Sequence, residues 1–111
     1  MAQQRTLSLV IPARDEQDNI ANLLTETFTV MRDYPGFEVI LVDDGSQDRT
    51  LAIARRTADG LGGRLVTLRH EQSIGQSGAL ATGVRRASGQ LIVTMDGDGQ
   101  NDPADIPALM H

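Results

Sequence analysis

The sequence predicts a parallel, doubly wound α/β domain. Short apolar runs alternate with segments of helical character, and this alternation is typical of strand–helix units in a parallel sheet. The runs are continuously apolar, which fits strands that are buried on both faces. With 111 residues, of which 40% are hydrophobic, the chain can form a single domain with a modest core, and we take residues 1–111 as that domain.

The first predicted strand is Leu7–Ile11, an apolar run that Pro12 is expected to end. From Gln17 onward, apolar residues recur at helical spacing as far as Met31, which predicts an amphipathic helix that Tyr34–Gly36 stops. Three acidic residues are expected at the amino end of this helix, where the helix dipole favours negative charge: Asp15, Glu16 and Asp18.

The second predicted strand is Glu38–Val42. Asp43–Ser46 is expected to form a turn, with Ser46 as the cap of a helix that opens at Gln47. The apolar residues of this helix are Leu51, Ile53, Ala54 and Ala58, and the glycines expected to end it are Gly60, Gly62 and Gly63.

The second half of the chain repeats the alternation. Arg64–Leu68 and Leu91–Met95 are the third and fourth predicted strands, and Gly75–Ala87 between them is predicted to be a helix of small residues. A polar loop, Asp96–Asp102, then leads into a further helix predicted over Pro103–Met110. The residues expected to face inward on the third helix are Leu80, Ala81, Val84 and Ala87.

Right-handed crossovers fix the sheet face that each helix covers. With the strand order 3-2-1-4, the first two helices share one face and the third helix lies on the other. The other face then carries one full helix and a short final one, so we expect the sheet to be incompletely covered. Either the natural protein continues past His111, or the chain self-associates.

Composition excludes several classes of protein. The net charge of −5 argues against a nucleic-acid partner, because phosphate contacts need clustered basic residues. The absence of cysteine excludes disulfides and thiolate zinc sites. No apolar run approaches the ~20 residues of a membrane span or the ~7–15 residues of a signal-peptide core, so a cytoplasmic location is expected.

Loops that follow parallel strands meet at one edge of the sheet, and ligands of open α/β sheets bind there at the switch in strand order. The acidic residues expected at this edge are Asp15, Glu16, Asp43, Asp44, Asp96 and Asp98. Their mutual repulsion predicts a cationic partner, either Arg14 or a divalent ion such as Mg²⁺ or Mn²⁺, which prefers oxygen ligands. The candidate metal ligands are Asp96, Asp98 and Gln100.

Each motif also has a plain structural interpretation. Asp-Gly is a common turn dipeptide, and Asp43–Ser46 can be a turn with a helix cap. Gly75–Gly78 fits helix capping better than a phosphate contact, and His70 is expected to be a surface loop residue. Placement directly after predicted strands favours the functional interpretation of the two acidic motifs.

Four residue strings together resemble one family. They read VIPARDE (Val10–Glu16), VDDGSQD (Val42–Asp48), GQSGAL (Gly75–Leu80) and MDGDGQNDP (Met95–Pro103). The chain resembles the nucleotide-binding half of a family 2 inverting glycosyltransferase, in the branch of dolichyl- and undecaprenyl-phosphate sugar transferases. The resemblance runs from about Leu7 to the end of the chain and implies the GT-A fold, a Rossmann-like three-layer α/β/α arrangement with a mostly parallel sheet.

The resemblance implies roles for individual residues. Asp43 and Asp44 match base and ribose contacts, and Asp96 and Asp98 match a DxD motif that holds Mg²⁺ or Mn²⁺ on the diphosphate, with Gln100 joining the metal site. Many members carry Asn at position 15, so the charge of Asp15 is a candidate determinant of donor choice. The residues implied to bind a UDP- or GDP-linked sugar are Pro12, Ala13, Arg14, Glu16, Asp43, Asp44, Gly75, Gln76, Ser77 and Asp96.

The implied reaction is transfer with inversion to an acceptor such as a polyprenyl phosphate, which would place the parent protein at the cytoplasmic face of the membrane. No acceptor-side motif is recognisable, so the chain alone is expected to bind the donor without completing transfer. Two alternatives stay open: a non-catalytic nucleotide-binding module, and a phosphatase of the haloacid dehalogenase type. The phosphatase is disfavoured because the chain ends at His111, soon after Asp98, without the further residues that it needs.

Overall fold

The computed structural model describes residues 6–34, 36–95 and 103. The strands are β1 (Leu7–Ala13), β2 (Phe37–Asp44), β3 (Leu65–His70) and β4 (Leu91–Thr94). The helices are α1 (Ile20–Met31), α2 (Thr50–Leu61) and α3 (Gln76–Arg86). All strand pairs are parallel and the sheet order is β3-β2-β1-β4, which confirms the predicted topology. The helix predicted over Pro103–Met110 lies outside the described residues, apart from Pro103.

The two faces of the sheet carry separate apolar cores. On one face, alternate residues of β1 and β2 such as Leu9 and Leu41 pack against buried side chains of α1 and α2. On the other face, Val10 and Ile40 pack against Ala79 of α3. The predicted distribution of helices, two on one face and one on the other, is therefore confirmed. No helix in the described ranges is long and apolar enough to span a membrane.

Three strands extend further at their carboxyl ends than the apolar runs predict. β1 continues through Pro12 to Ala13. The Val10 carbonyl faces β4 and accepts a hydrogen bond from Met95 N. The backbone groups of residue 12 face the same side, but the pairing with β4 ends at Val10 and Thr94. Proline is tolerated there because no partner strand needs its missing N–H.

The extension of β2 to Asp44 and of β3 to His70 corrects two predictions. Asp43 and Asp44 were expected in a turn, but they pair with Arg69 and His70 of β3. His70 was expected in a surface loop and is instead the last residue of a strand. The ladder continues into polar residues because its hydrogen bonds join backbone groups, whatever the side chain.

The inward face of α3 differs in part from the prediction. Its buried residues are Ala79 and Gly83. A Cβ atom on Gly83 would lie 2.3 Å from Val10 Cγ1, so only glycine lets the helix approach the sheet this closely. Of the residues that were predicted to face inward, Leu80 and Ala87 are partly buried and pack against this core, whereas Ala81 and Val84 are exposed. Close backbone approach, and not side-chain size, sets the orientation of this helix.

Beside α3, part of the sheet is left uncovered by the residues that the structure describes. α3 packs on β1 and β2, while Ile92 of β4, on the same face, is 42% exposed. The expected incomplete coverage is therefore present among the described residues. Whether a longer chain or a second copy covers this surface stays a prediction.

Candidate functional site at the carboxyl edge of the sheet

Reciprocal hydrogen bonds join the loops that follow β1 and β2. The backbone N–H of Asp15 donates to Ser46 Oγ at 2.9 Å, and the N–H of Gln47 donates back to Asp15 Oδ1 at 2.8 Å. The N–H of Glu16 donates to Thr50 Oγ1 at 2.8 Å. Side-chain acceptors thus satisfy backbone donors across the gap between the loops, which holds the two loops in one relative position.

These contacts change how both helices begin. α1 starts at Ile20 and not at Gln17, and its first turn contains no acidic residue. Asp15, Glu16 and Asp18, which were expected at the amino end of this helix, therefore precede the helix and do not lie in its first turn. Ser46 is not the cap of α2 either, because its hydroxyl accepts from Asp15 N; the side chain of Asp48 instead accepts from Thr50 N at 2.9 Å.

Asp15 adopts a left-handed backbone conformation with φ 53°. Asp and Asn tolerate this region better than other non-glycine residues. The position also needs a side-chain acceptor for Gln47 N. Asn meets both requirements as well as Asp does. The backbone geometry therefore explains why Asp or Asn occupies position 15, with no contact to a sugar donor needed. A role of its charge in donor choice stays a prediction.

The two acids at the end of β2 project to opposite faces of the sheet. Asp43 lies on the α1–α2 side, where its Oδ1 accepts from Ser46 N at 3.1 Å. Asp44 lies on the α3 side, where Oδ1 contacts His70 Nδ1 at 2.9 Å and accepts from Ile74 N at 2.9 Å. Both acids are buried. The sequence suggests one acidic pair, whereas strand alternation separates it into two sites.

The second oxygen of Asp44 is also bonded within the protein. Oδ2 accepts from Ser73 Oγ at 2.8 Å and from Gly75 N at 3.0 Å. Burial alone would raise the pKa of Asp44, but the hydrogen bonds from Ile74, His70, Ser73 and Gly75 outweigh it and hold the pKa far below its usual range. Asp44 is therefore ionised at neutral pH.

The partners of Asp44 were not found from the sequence. They lie 26 to 31 residues away along the chain, and no local pattern marks them. His70 is the clearest case, because its Nε2 also lies 3.0 Å from Thr82 Oγ1 of α3. Only the register of β3 beside β2, which pairs Asp44 with His70, brings these groups together.

Mutual repulsion of the acids was expected to require a cation. Arg14 is exposed and forms no ion pair with any residue that the structure describes, so it does not fill this role there. Backbone N–H groups, hydroxyls and His70 stabilise the described carboxylates instead. These donors could not be predicted from the sequence because loop amides have no signature in the residue pattern.

The remaining site residues are distributed along the same edge. Pro12 and Ala13 are buried at the end of β1, Glu16 is half-buried, and Gly75, Gln76 and Ser77 are exposed around the start of α3. Among the residues with described positions, no group of three His, Cys, Asp or Glu side chains could hold a metal ion. The predicted metal ligands Asp96, Asp98 and Gln100 lie outside the described residues.

Residues 8–111 match the model of the family Glycosyl transferase family 2. The chain belongs to glycosyl transferase family 2. It is 44% identical over 111 residues to a dodecaprenyl-phosphate galacturonate synthase of Rhizobium johnstonii, covering 97% of this chain and 32% of that protein. It is 40% identical over 107 residues to an undecaprenyl-phosphate 4-deoxy-4-formamido-L-arabinose transferase of Edwardsiella ictaluri, covering 95% of this chain and 33% of that protein. The chain thus spans about a third of the length of these relatives.

Solved structures agree with this assignment. A mannosyltransferase of Pyrobaculum calidifontis, in complex with GDP-Man and Mn²⁺, aligns with a TM-score of 0.83 and 28% identity over 96% of this chain and 31% of that one. A glucosyl-3-phosphoglycerate synthase of Mycobacterium tuberculosis, in complex with Mn²⁺, UDP and glucosyl-3-phosphoglycerate, aligns with a TM-score of 0.67 and 29% identity. The alignment covers 93% of this chain and 37% of that one. These neighbours are GT-A glycosyltransferases, so the family member described here has the GT-A fold that the sequence predicted.

Proposed function

We propose that this chain binds the nucleoside-diphosphate part of a sugar donor for a metal-dependent, inverting transfer to a polyprenyl phosphate. The observation that carries the proposal is the set of loops after β1, β2 and β3, which hydrogen bonds join at the carboxyl edge of a β3-β2-β1-β4 sheet. That edge is where open α/β sheets bind ligands. The names of the two relatives and the ligands of the two solved neighbours support it.

The donor would contact both buried and exposed groups of these loops. Arg14 is an exposed guanidinium free of any ion pair among the described residues, and such a group suits a phosphate. Asp43 has a buried carboxylate that can accept from a base or a ribose hydroxyl. The full set proposed to bind the donor is Pro12, Ala13, Arg14, Glu16, Asp43, Gly75, Gln76, Ser77 and Asp96.

Asp96, Asp98 and Gln100 would hold Mg²⁺ or Mn²⁺, because their oxygen atoms are the ligands that these ions prefer. Met95 N donates to the Val10 carbonyl at 3.0 Å, so Met95, the residue before this motif, lies beside β1 at the edge that carries the loops assigned to the sugar donor. When bound, the ion would supply positive charge for the departing nucleoside diphosphate.

A polyprenyl phosphate is already an anion, so it needs no protein base to become a nucleophile. No acceptor-side residue is recognisable in this chain, which spans about a third of its relatives. We therefore propose that the chain by itself binds the donor and does not complete the transfer. In the full-length protein, a lipid acceptor would require this domain at the cytoplasmic face of the membrane.

Calorimetric titration of the chain with UDP and with GDP, each with and without Mn²⁺, tests the proposal. We expect one nucleotide to bind and Mn²⁺ to tighten its binding. Asp98→Asn should remove the effect of Mn²⁺, while Asp59→Asn, at an exposed position of α2, should retain it. Failure of both nucleotides to bind would contradict the proposal, and equal affinity with and without Mn²⁺ would contradict the metal site alone.

A further inference from the structure

The carboxylate of Asp44 is enclosed by its own chain. Only 4% of the residue is exposed, and its two oxygens receive four contacts from His70, Ile74, Ser73 and Gly75. An ionised carboxylate offers about four acceptor positions. Asp44 therefore has no acceptor position left for a ligand unless one of these bonds breaks.

Three of the four contacts come from one segment, Ser73–Gly75, which directly precedes α3. This segment is exposed, and Ile74 is 59% exposed although it is apolar. Exposed loops with few buried contacts open easily unless hydrogen bonds hold them. The Asp44 carboxylate supplies those bonds, and the segment leads straight into the residues assigned to the donor.

His70 supports the carboxylate from the helix side. A carboxylate only accepts hydrogen bonds, so His70 Nδ1 donates to Asp44 Oδ1. The other ring nitrogen, Nε2, hydrogen-bonds Thr82 in the middle of α3. Asp44 thus fixes the entry to α3, and His70 joins the same carboxylate to the body of the helix.

The β2–α2 loop limits where the segment can lie. Gly45 has φ +76°, and a Cβ atom there would lie 2.7 Å from Ser73 N. The two loops therefore touch through backbone atoms, which brings the segment against the loop that directly follows Asp43 and Asp44 of β2. Donor-side groups from β2 and from α3 are in this way held next to each other.

We propose that Asp44 is a positioning residue, which holds Ser73–Gly75 and the start of α3 in the donor-binding arrangement without touching the donor. His70 positions that carboxylate. This inference rests on the proposed function and assigns the donor contact of the acidic pair to Asp43 alone. It replaces the role that the family resemblance implied for Asp44.

The test combines nucleotide affinity with hydrogen exchange of the Ile74 and Gly75 amides in the free chain. Asp44→Asn presents a donor where Gly75 N needs an acceptor, so we expect about tenfold or greater loss of affinity for the nucleotide that binds with Mn²⁺. Exchange of both amides should accelerate. Ser73→Ala, which removes one hydroxyl, should change both readouts in the same direction by less.

His70 provides a rescue test. His70→Ala removes both ring contacts and should weaken nucleotide binding, whereas His70→Asn places an amide near the Nδ1 position and should restore most of the loss. Glu38→Gln is the matched control, because Glu38 is a buried acid on the same strand that bonds to no part of the Ser73–Gly75 segment. It should lower stability and leave affinity unchanged.

Two results would overturn the inference. One is loss of affinity in Asp44→Asn while Ser73→Ala and His70→Ala bind like wild type, because that pattern indicates direct contact with the donor. The other is unchanged amide exchange in Asp44→Asn. If the wild-type chain bound neither nucleotide, the proposed function would fail, and amide exchange would still decide separately whether Asp44 holds the segment.

Discussion

Two buried acids on β2, Glu38 and Asp44, lie on the same face of the sheet at opposite ends of the strand. Both accept hydrogen bonds from serine hydroxyls and backbone amides, and both have a basic partner. For Asp44 the partner is His70 at 2.9 Å, and for Glu38 it is Arg64 at 3.6 Å. The local chemistry of the two clusters is therefore similar, and their positions in the sheet differ.

The Glu38 cluster, formed by Glu38, Ser8, Ser88 and Arg64, lies at the amino end of the sheet. Glu38 Oε2 accepts from Ser8 Oγ at 2.7 Å, and from Ser88 N and Ser88 Oγ at 3.0 and 2.8 Å. Its Oε1 is buried and has no hydrogen bond among the described residues. Burial alone would raise the pKa of Glu38, but the bonds from Ser8 and Ser88 and the charge of Arg64 lower it below its usual range.

The difference between the clusters is where their bonds lead. Glu38 joins β1 and β2 to the turn before β4, all within the scaffold. Asp44 joins β2 to an exposed segment at the edge where ligands of this architecture bind. Equal loss of stability at the two acids should therefore have unequal consequences for nucleotide binding.

The largest stability effect is expected for Gly45→Ala. The substitution forces a side chain into φ +76° and against Ser73 N, which should lower the free energy of unfolding by roughly 2–4 kcal/mol. Urea denaturation measures this, and nucleotide titration should show weaker binding as well. A variant that keeps wild-type stability and affinity would show that the two loops do not touch.

Glu38→Gln is expected to lower the free energy of unfolding by about 1–3 kcal/mol. The amide places an N–H donor or a neutral oxygen where three hydrogen-bond donors converge on a carboxylate oxygen. Urea denaturation gives the change in the free energy of unfolding. Affinity for UDP or GDP, measured where both proteins are folded, should stay at the wild-type value. A loss of affinity comparable with that of Asp44→Asn would remove the functional distinction between the clusters.

Acid should destabilise the chain through both clusters and through Asp48, which accepts hydrogen bonds from the N–H groups of Gln17 and Thr50. The folded-state pKa values of Glu38, Asp44 and Asp48 are all lowered, so their stabilisation is present above the usual carboxyl pKa of about 4 and is lost as the pH falls below it. Urea denaturation between about pH 6 and pH 2 should show this decline in wild type. The stability of Asp44→Asn and of Glu38→Gln should each decline less steeply with falling pH than that of wild type. A variant whose stability declines in parallel with wild type would show that its carboxyl does not contribute to the acid sensitivity.

Arg64→Gln tests the weakest contact of the Glu38 cluster. The Arg64 side chain is 69% exposed, and solvent screens its interaction with Glu38, so we expect less than ~1 kcal/mol of destabilisation. The effect should shrink further in high salt. A larger effect that persists in salt would mean that Arg64, and not the serines, stabilises the Glu38 carboxylate.

Asp15→Asn should have the smallest effect. Asn tolerates the left-handed conformation and still accepts from Gln47 N, so the change in stability should be within about 0.5 kcal/mol. If the charge of Asp15 contributes to donor choice, the ratio of UDP to GDP affinity will change in this variant. An unchanged ratio would leave Asp15 with the structural role alone.

The sequence by itself determined the strand order, the sheet face that each helix covers, and the polar motifs near the carboxyl ends of the strands. Apolar runs such as Leu7–Ile11, and the helical spacing of apolar residues up to Met31, are patterns within short stretches of sequence. They show directly which side chains are buried in the core. Four motifs in order were enough to predict the family. Strand ends were missed because the ladder continues past Pro12 and as far as Asp44 through backbone bonds, which the side-chain pattern does not report.

Only the tertiary structure decided what the polar residues do. Ser46 accepts from Asp15 and does not cap α2, and the orientation of α3 depends on the fit of Gly83 against Val10. His70 and Ser73 bind Asp44 because the register of β3 beside β2 brings together residues some thirty positions apart. A hydrogen bond requires its two atoms to be within about 3 Å, and no local sequence pattern specifies that distance between remote residues.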